Sequence, residues 1–349
     1  MSSAIGGTAT PARLDLQGDG SPGPSTTTPA RVRLDPRLLI APLLALLLTV
    51  WLDPRYTAGD PSLYRYVYDA MGTERLGHGF FFYSVILSST EPLHYLLIWT
   101  LTHLGLPREV FIGGSSAVLA FVAVRLLVGR GAHILVATTI VSSSFYFLLL
   151  YTTTERLKIA VIFLFASLLA LRRTKLAIAL ALMAVAAHAQ VIIIYVSVAT
   201  IFVAQELRTA LRMGRLSGRI VGTTVVVFAG AVAAYLVVGD QVAAKVSSYA
   251  GLGAQAELLR VIPFYVATLF YTRDRLNVTL LFLPLLMLTP IIGYGRLNLF
   301  SYFILLYYSA GTRKGFNLAV LLTTLYFCYS SYTFVERVIA FGDPDLLVQ

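Results

Sequence analysis

Long stretches without a charged side chain dominate the chain. They fall at 38–52, 110–124, 131–154, 159–171, 176–205, 220–239, 261–272, 276–295, 297–312 and 315–335. A helix needs about 20 apolar residues to cross roughly 30 Å of hydrocarbon, and several runs reach that length once the long basic side chains at their ends extend to the interface. Period-2 alternation, the mark of a barrel, is absent. Backbone groups in hydrocarbon must be satisfied within their own segment, so the pattern predicts an all-α, polytopic transmembrane helix bundle.

The run at 176–205 is too long for one ordinary crossing, and both its ends are basic: Arg172, Arg173 and Lys175 before it, Arg208, Arg212, Arg215 and Arg219 after it. Basic connections stay on the cytoplasmic side, so the segment is expected to go out and return, turning near Ala187-His188-Ala189-Gln190. Carried through, this rule puts the N-terminus, 125–130, 172–175, 206–219, 273–275 and 313–314 inside. These regions hold 17 Lys/Arg against 5 Asp/Glu, while the other connections hold 10 against 12. About eleven crossings follow, with the N-terminus cytoplasmic and the C-terminus outside. The stretch 53–109 fits less simply, because both of its ends must lie outside. Its uncharged runs at 76–90 and 92–107 read either as two short crossings or as interfacial and re-entrant helices.

Composition agrees with a membrane chain. Of 349 residues, 57% are hydrophobic and 13% charged, where soluble domains carry about 25% charged. A soluble enzyme, a disordered chain and a nucleic-acid module are excluded, and the net charge of +10 reports topology. Residues 1–34, rich in Gly, Ser, Thr and Pro, read as a disordered cytoplasmic tail. The transmembrane domain is expected over 35–338 and a C-terminal tail over 339–349. The basic residues before 38–52 resemble the start of a signal peptide, but no small-x-small cleavage site follows, so a retained first helix is expected. Cys328, the single cysteine, rules out an intramolecular disulfide framework and reads as a packing residue.

With this topology the unusual polar residues collect on the outer side. They are Asp60, Glu91, Glu155 with Arg156, His188 and Arg296. Charges cost about 2.5–3.5 kcal/mol at a membrane helix centre, so their positions carry information. Each has a purely structural role open to it. Glu91-Pro92 makes a good helix start, Asp60-Pro61 initiates a turn, Arg156 and Arg296 are interfacial arginines, and His188 is a hydrogen-bonded core histidine. Their joint placement is what marks a site. No His-Glu-x-x-His, glycine-rich phosphate loop, Gly-x-Ser-x-Gly or aspartate pair is present, and neither a metal nor a cofactor is expected.

The order of these motifs resembles the EpsG family of Wzy-type polysaccharide polymerases over about 57–310. It runs through Gly59-Asp60-x-x-x-Tyr64, Glu91-Pro92, Thr154-Glu155-Arg156-Leu157-Lys158-Ile159-Ala160, Ala186-Ala187-His188-Ala189, an outer segment around Tyr249, and Arg296 ahead of Tyr302-Phe303. Departures include Glu-Pro-Leu for the common Glu-Pro-Gly and Arg-Leu-Lys for Arg-Gln. The resemblance implies a polymerase in the bacterial cytoplasmic membrane. It would join undecaprenyl-diphosphate-linked oligosaccharide repeats at the outer face, with a chain-length regulator and a flippase as partners and no nucleic acid. Guanidinium groups suit a departing diphosphate, which points to Arg156 and Arg296. A base of near-neutral pKa points to His188, then Glu91 or Asp60. Tyr64 and Tyr249 would contact sugar. The rival classes are a class C glycosyltransferase with a lipid-phosphate sugar donor, a flippase or other transporter, and a membrane acyltransferase. A transporter would favour charged residues deep in several helices and internal symmetry, neither of which is visible in the sequence.

Overall fold

The computed structural model describes residues 35–213, 218, 222, 254–292 and 294–343. The expected tail over 1–34, Tyr249 and residues 344–349 lie outside them. All regular structure among the described residues is helical, in the order α1 (Ile40–Leu52), α2 (Gly59–Met71), α3 (Leu76–Ile86), α4 (Pro92–His103), α5 (Arg108–Gly129), α6 (Ile134–Ser143) and α7 (Phe145–Thr152). It continues with α8 (Glu155–Leu169), α9 (Thr174–Ala187), α10 (Ile192–Met213), α11 (Ala254–Tyr271), α12 (Arg275–Ile292), α13 (Tyr294–Ser309) and α14 (Leu318–Phe341).

Four described helical stretches are long and apolar enough to cross a membrane: Pro36–Arg55, Arg108–Gly129, Ala189–Arg212 and Thr312–Phe341. A fifth is added if α6 and α7, which meet at a 56° bend, count as one broken span. Several shorter apolar helices accompany them, including Leu76–Ile86 and Thr174–Ala187. The stretch 53–109 folds into three short helices, α2 to α4. With 11 and 12 residues, α3 and α4 rise only about 16–18 Å at 1.5 Å per residue, too little for either to cross alone.

Four helices pack as a series: α1 lies along α5, α5 along α8, and α8 along α9. Small residues allow the close approach. Ala41 and Ala45 of α1 are buried in the same cluster as Leu119, Ala120 and Ala123 of α5, and a Cβ on Gly113 would stand 3.1 Å from Val50 Cγ2. A separate aromatic cluster holds α2, α3 and α4 together through Tyr64, Tyr68, Tyr83, Tyr95 and Ile98, and Trp99 Nε1 donates to the Glu74 carbonyl at 3.0 Å. At the α6–α7 bend the Tyr151 hydroxyl donates to the Val141 carbonyl at 2.8 Å.

Local chemistry explains several boundaries. Pro92 opens α4 directly after Glu91, where a missing N–H costs nothing. Asn317 caps α14 by accepting from the Val320 amide at 3.1 Å, and Gly342, with φ +71°, ends it. The uncharged run 176–205 breaks at His188, whose backbone is extended at φ −160° and ψ 114° and is followed by a short 3-10 turn at Ala189–Val191. Two expectations are corrected. The connection expected over 206–219 is helical as far as Met213, because basic residues favour helix as readily as the apolar run before them. Cys328, expected to pack, is exposed on α14, in a row with exposed Leu325, Tyr329 and Tyr332. On a membrane-type helix the outward face is as apolar as the inward one.

Candidate functional site

Four separated segments bring their polar side chains together. Glu91 stands at the N-cap of α4, yet its carboxylate caps no backbone amide. Instead Oε2 accepts from Arg156 Nη1 at 2.8 Å and from the Ser89 hydroxyl, while Oε1 pairs with His188 Nδ1. Arg156, at the second position of α8, also donates from Nε to the Tyr64 hydroxyl of α2 at 3.0 Å, and its Cζ lies 6.0 Å from that ring's centre. The other nitrogen of His188, Nε2, lies 3.1 Å from Gln190 Oε1. The side chains of Arg156, Glu91 and His188 are only 13%, 12% and 7% exposed. Burial alone would raise the Glu91 carboxyl. The His188 bond and charge, the Arg156 charge and the Ser89 bond together hold it well below the ordinary carboxylate range.

Glu155 and Arg156 point apart, as neighbours on a helix must. Glu155 is buried in a second, deeper network. Arg108 spans it, donating from Nη1 to Asp53 Oδ2 at 2.7 Å and from Nη2 to Glu155 Oε1, with Cζ 5.8 Å from the centre of the Tyr68 ring. His94 of α4 lies between the two networks. Its Nδ1 meets the Tyr83 hydroxyl at 2.9 Å, and its Nε2 faces Glu155 Oε2 across 4.0 Å. Lys158 is fully buried, with its ammonium 3.2 Å from the Ile112 and Tyr151 carbonyls and 3.1 Å from Ser116 Oγ. These three acceptors tie α8 to α5 and α7. Lys158→Met removes all three bonds, each worth about 1.5–3 kcal/mol when one partner is charged, while Ser115 still donates to the Ile112 carbonyl and Ser116 to that of Tyr151. The expected result is a lower thermal-unfolding midpoint in detergent, with the Ser116→Ala variant losing less.

Of the residues expected at a site, Glu91, Arg156, His188 and Tyr64 converge. Asp60 does not join them. It is exposed in the first turn of α2 and lines a separate cavity of about 1160 Å³ with residues of α7, α11 and α14, Phe145, Phe264 and Phe327 among them. Arg296 falls in the first turn of α13, its side chain outside the described residues, as is Tyr249 entirely. Unanticipated members are Ser89, Gln190, Tyr83, His94, Asp53, Arg108 and Lys158. Two carried a signal: His94 and Lys158 each lie three residues from a carboxylate, one helical turn on, within otherwise apolar sequence. Asp53 and Arg108 sit at the ends of apolar runs and read as ordinary membrane boundaries. No group of three or more His, Cys, Asp or Glu able to hold a metal is present among the described residues.

The fold and the site together define an all-helical protein of membrane type in which an arginine, a carboxylate and an imidazole from separate helices share one buried polar site. Comparisons with protein-family models, with curated proteins and with solved structures find no match.

Proposed function

We propose that this chain is a polysaccharide polymerase of the Wzy type, similar to the EpsG family, acting on undecaprenyl-diphosphate-linked oligosaccharide at the outer face of the bacterial cytoplasmic membrane. The observation that carries the reading is the convergence of Arg156, Glu91, His188 and Tyr64. In the proposed reaction a sugar hydroxyl attacks the anomeric carbon of another repeat as the bond from that carbon to the diphosphate oxygen breaks. Charge leaves on undecaprenyl diphosphate, and the hydroxyl proton passes to the His188–Glu91 pair. Glu91 orients the imidazole as a carboxylate orients histidine in hydrolase triads. Gln190 must swing from Nε2 for the imidazole to accept. Arg156 uses Nη1 and Nε within the site, which leaves Nη2 for a phosphate oxygen, and fixed charge in a poorly hydrated site favours a departing anion. The reading also holds that the chain crosses the membrane about eleven times with a cytoplasmic N-terminus, and that a flippase and a chain-length regulator work beside it.

Loss of the protein is expected to leave single-repeat lipid intermediates exposed at the outer face. Intermediates trapped inside would indicate a flippase, and truncated repeats a sugar-adding transferase. His188→Ala is expected to cut extension by about 10²–10⁴-fold, the usual scale for a general base. Full activity in that variant would transfer the role to a carboxylate. One observation favours a second reading as a transporter: Asp53, Arg108, Glu155 and Lys158 are all buried charges on several helices, and ionisable groups at membrane depth commonly mark ion or substrate pathways.

A further inference from the structure

The cavity of about 1160 Å³ beside Asp60 is untouched by the proposed reaction. Its lining follows α14 from Leu322 to Arg337, about 22 Å of helix at 1.5 Å per residue, more than half of the roughly 30 Å of hydrocarbon. Helix contacts set its two ends apart. The Ala319 amide donates to the Tyr271 hydroxyl at 3.3 Å, and the Phe264 and Phe327 rings stand 6.2 Å apart, so α11 runs antiparallel to α14. So does α13, whose Ser309 carbonyl accepts from the Asn317 amide at 2.8 Å. Phe334 packs 5.9 Å from Tyr56, and the Thr57 amide donates to the Gly342 carbonyl, which brings the C-terminal end of α14 to the start of α2. Asp60, Arg260, Asn298 and Arg337 therefore gather toward one end, with Phe264, Phe327, Tyr326 and Leu322 toward the other. Leu322, Tyr326 and Tyr329 line the cavity yet are exposed, so it opens on the outer flank of the bundle. Asn298 is only 3% exposed, and its amide oxygen has no hydrogen-bond partner among the described residues.

We propose that this cavity binds a lipid-linked sugar phosphate, and that its occupant is the acceptor repeat, held intact while Arg156 faces the departing diphosphate. The acceptor role rests on the transferase reading above. Each part of the lining selects one part of such a ligand. Guanidinium groups keep their charge and meet phosphate oxygens through forked N–H donors, and among the described lining residues two arginines stand against one carboxylate. The Asn298 amide oxygen and the Asp60 carboxylate only accept hydrogen bonds. They call for hydroxyls, which a sugar supplies and a bare lipid phosphate does not. The aromatic end suits a hydrocarbon chain entering sideways from the bilayer past Tyr326 and Tyr329, and a free sugar phosphate would leave that end empty. The reaction joins two lipid-linked repeats, yet the cluster around His188 offers the one guanidinium of Arg156, so the second diphosphate needs its own place. This cavity adjoins that cluster along the chain. Asp60 precedes Tyr64 by one turn of α2, about 6 Å along the axis, and Thr153 precedes Arg156 by three residues. A repeat anchored here extends its far sugar toward His188.

Photochemical capture, which needs no turnover, tests the site. The full chain in bilayers carries p-benzoylphenylalanine in place of Tyr326, which lines the cavity, or of Leu325, exposed on the same helix but outside the lining. The probes are polyprenyl diphosphate bearing N-acetylglucosamine, bare polyprenyl diphosphate, and phosphatidic acid. The sugar-bearing probe should be captured at 326 about tenfold more than at 325, and about tenfold more than phosphatidic acid. Arg260→Gln combined with Arg337→Gln should cut that capture about tenfold, the scale of one charge-assisted hydrogen bond. Asn298→Leu should weaken capture of the sugar-bearing probe and leave that of bare polyprenyl diphosphate within about twofold. Should that variant fail to fold, Asp60→Asn, at an exposed position, gives the same contrast. Arg156→Ala should leave capture at 326 unchanged. Equal capture at 325 and 326, phosphatidic acid taken as readily as the sugar-bearing probe, or capture lost in Arg156→Ala overturns the site while the transferase reading stands. In extension assays the double arginine variant should raise KM for the acceptor about tenfold with kcat within about twofold, and an unchanged KM overturns the acceptor role. Failure of the wild type to extend repeats overturns the transferase reading and the acceptor role together, and leaves the capture result in place.

Discussion

Arg156→Ala is expected to abolish extension of lipid-linked repeats while leaving the protein in the membrane at its normal level. Arg156 bridges two of the site's polar groups: Nη1 holds Glu91 at 2.8 Å and Nε holds the Tyr64 hydroxyl at 3.0 Å. Removing it deletes the charge that would meet the departing diphosphate and also frees the carboxylate that orients His188. Loss of one preorganised donor facing developing charge costs about 10²–10³-fold, and the second effect adds to it. Arg156→Lys should recover little, because an ammonium is a point charge that cannot hold two partners in fixed directions and present a third N–H to phosphate. The measurement is the length distribution of polymer made by membranes with matched protein amounts. Unchanged length in Arg156→Ala would remove the main support for the polymerase reading.

Arg108→Leu should be the most destabilising single change in the described part of the chain. It strands two carboxylates, Asp53 and Glu155, whose side chains are only 4% and 1% exposed. Breaking a buried ion pair by removing one partner costs about 3–5 kcal/mol, whereas replacing every member by neutral groups of like size is often close to neutral. The thermal-unfolding midpoint in detergent should fall sharply for Arg108→Leu and recover by more than half in the combined variant Asp53→Asn, Arg108→Met, Glu155→Gln. A single variant as stable as wild type would show that the carboxylates find other partners. Recovery of stability without recovery of polymer would separate the network's structural role from its role beneath the site.

The helices themselves were legible because helix burial in hydrocarbon leaves a direct imprint: a charge-free run. The break near His188 followed from an over-long run with basic residues at both ends, and the start at Glu91-Pro92 and the divergence of Glu155 from Arg156 from local chemistry. The pairing of Asp53 with Arg108, and of Arg108 with Glu155, did not. These residues are 55 and 47 positions apart, and which helix lies beside which depends on small-residue contacts such as Gly113 against Val50, which no run of apolar letters encodes. Cys328 was misjudged for a related reason. Lipid tails are as apolar as a protein interior, so the two faces of a membrane helix look alike in sequence. The place of Asp60 was equally hidden, since its motif fixes a helix start and not the direction of the carboxylate.

The bend between α6 and α7 has a mechanical consequence. A helix that breaks after Ser143 loses the amide that would have served Val141, and the Tyr151 hydroxyl fills that vacant acceptor from the far arm. The two arms are thereby braced like an elbow in a splint. In the proposed reaction, flexing that admits a bulky oligosaccharide would come from another joint, and the extended link at His188 is one such break, two residues before the Gln190 side chain that has to swing.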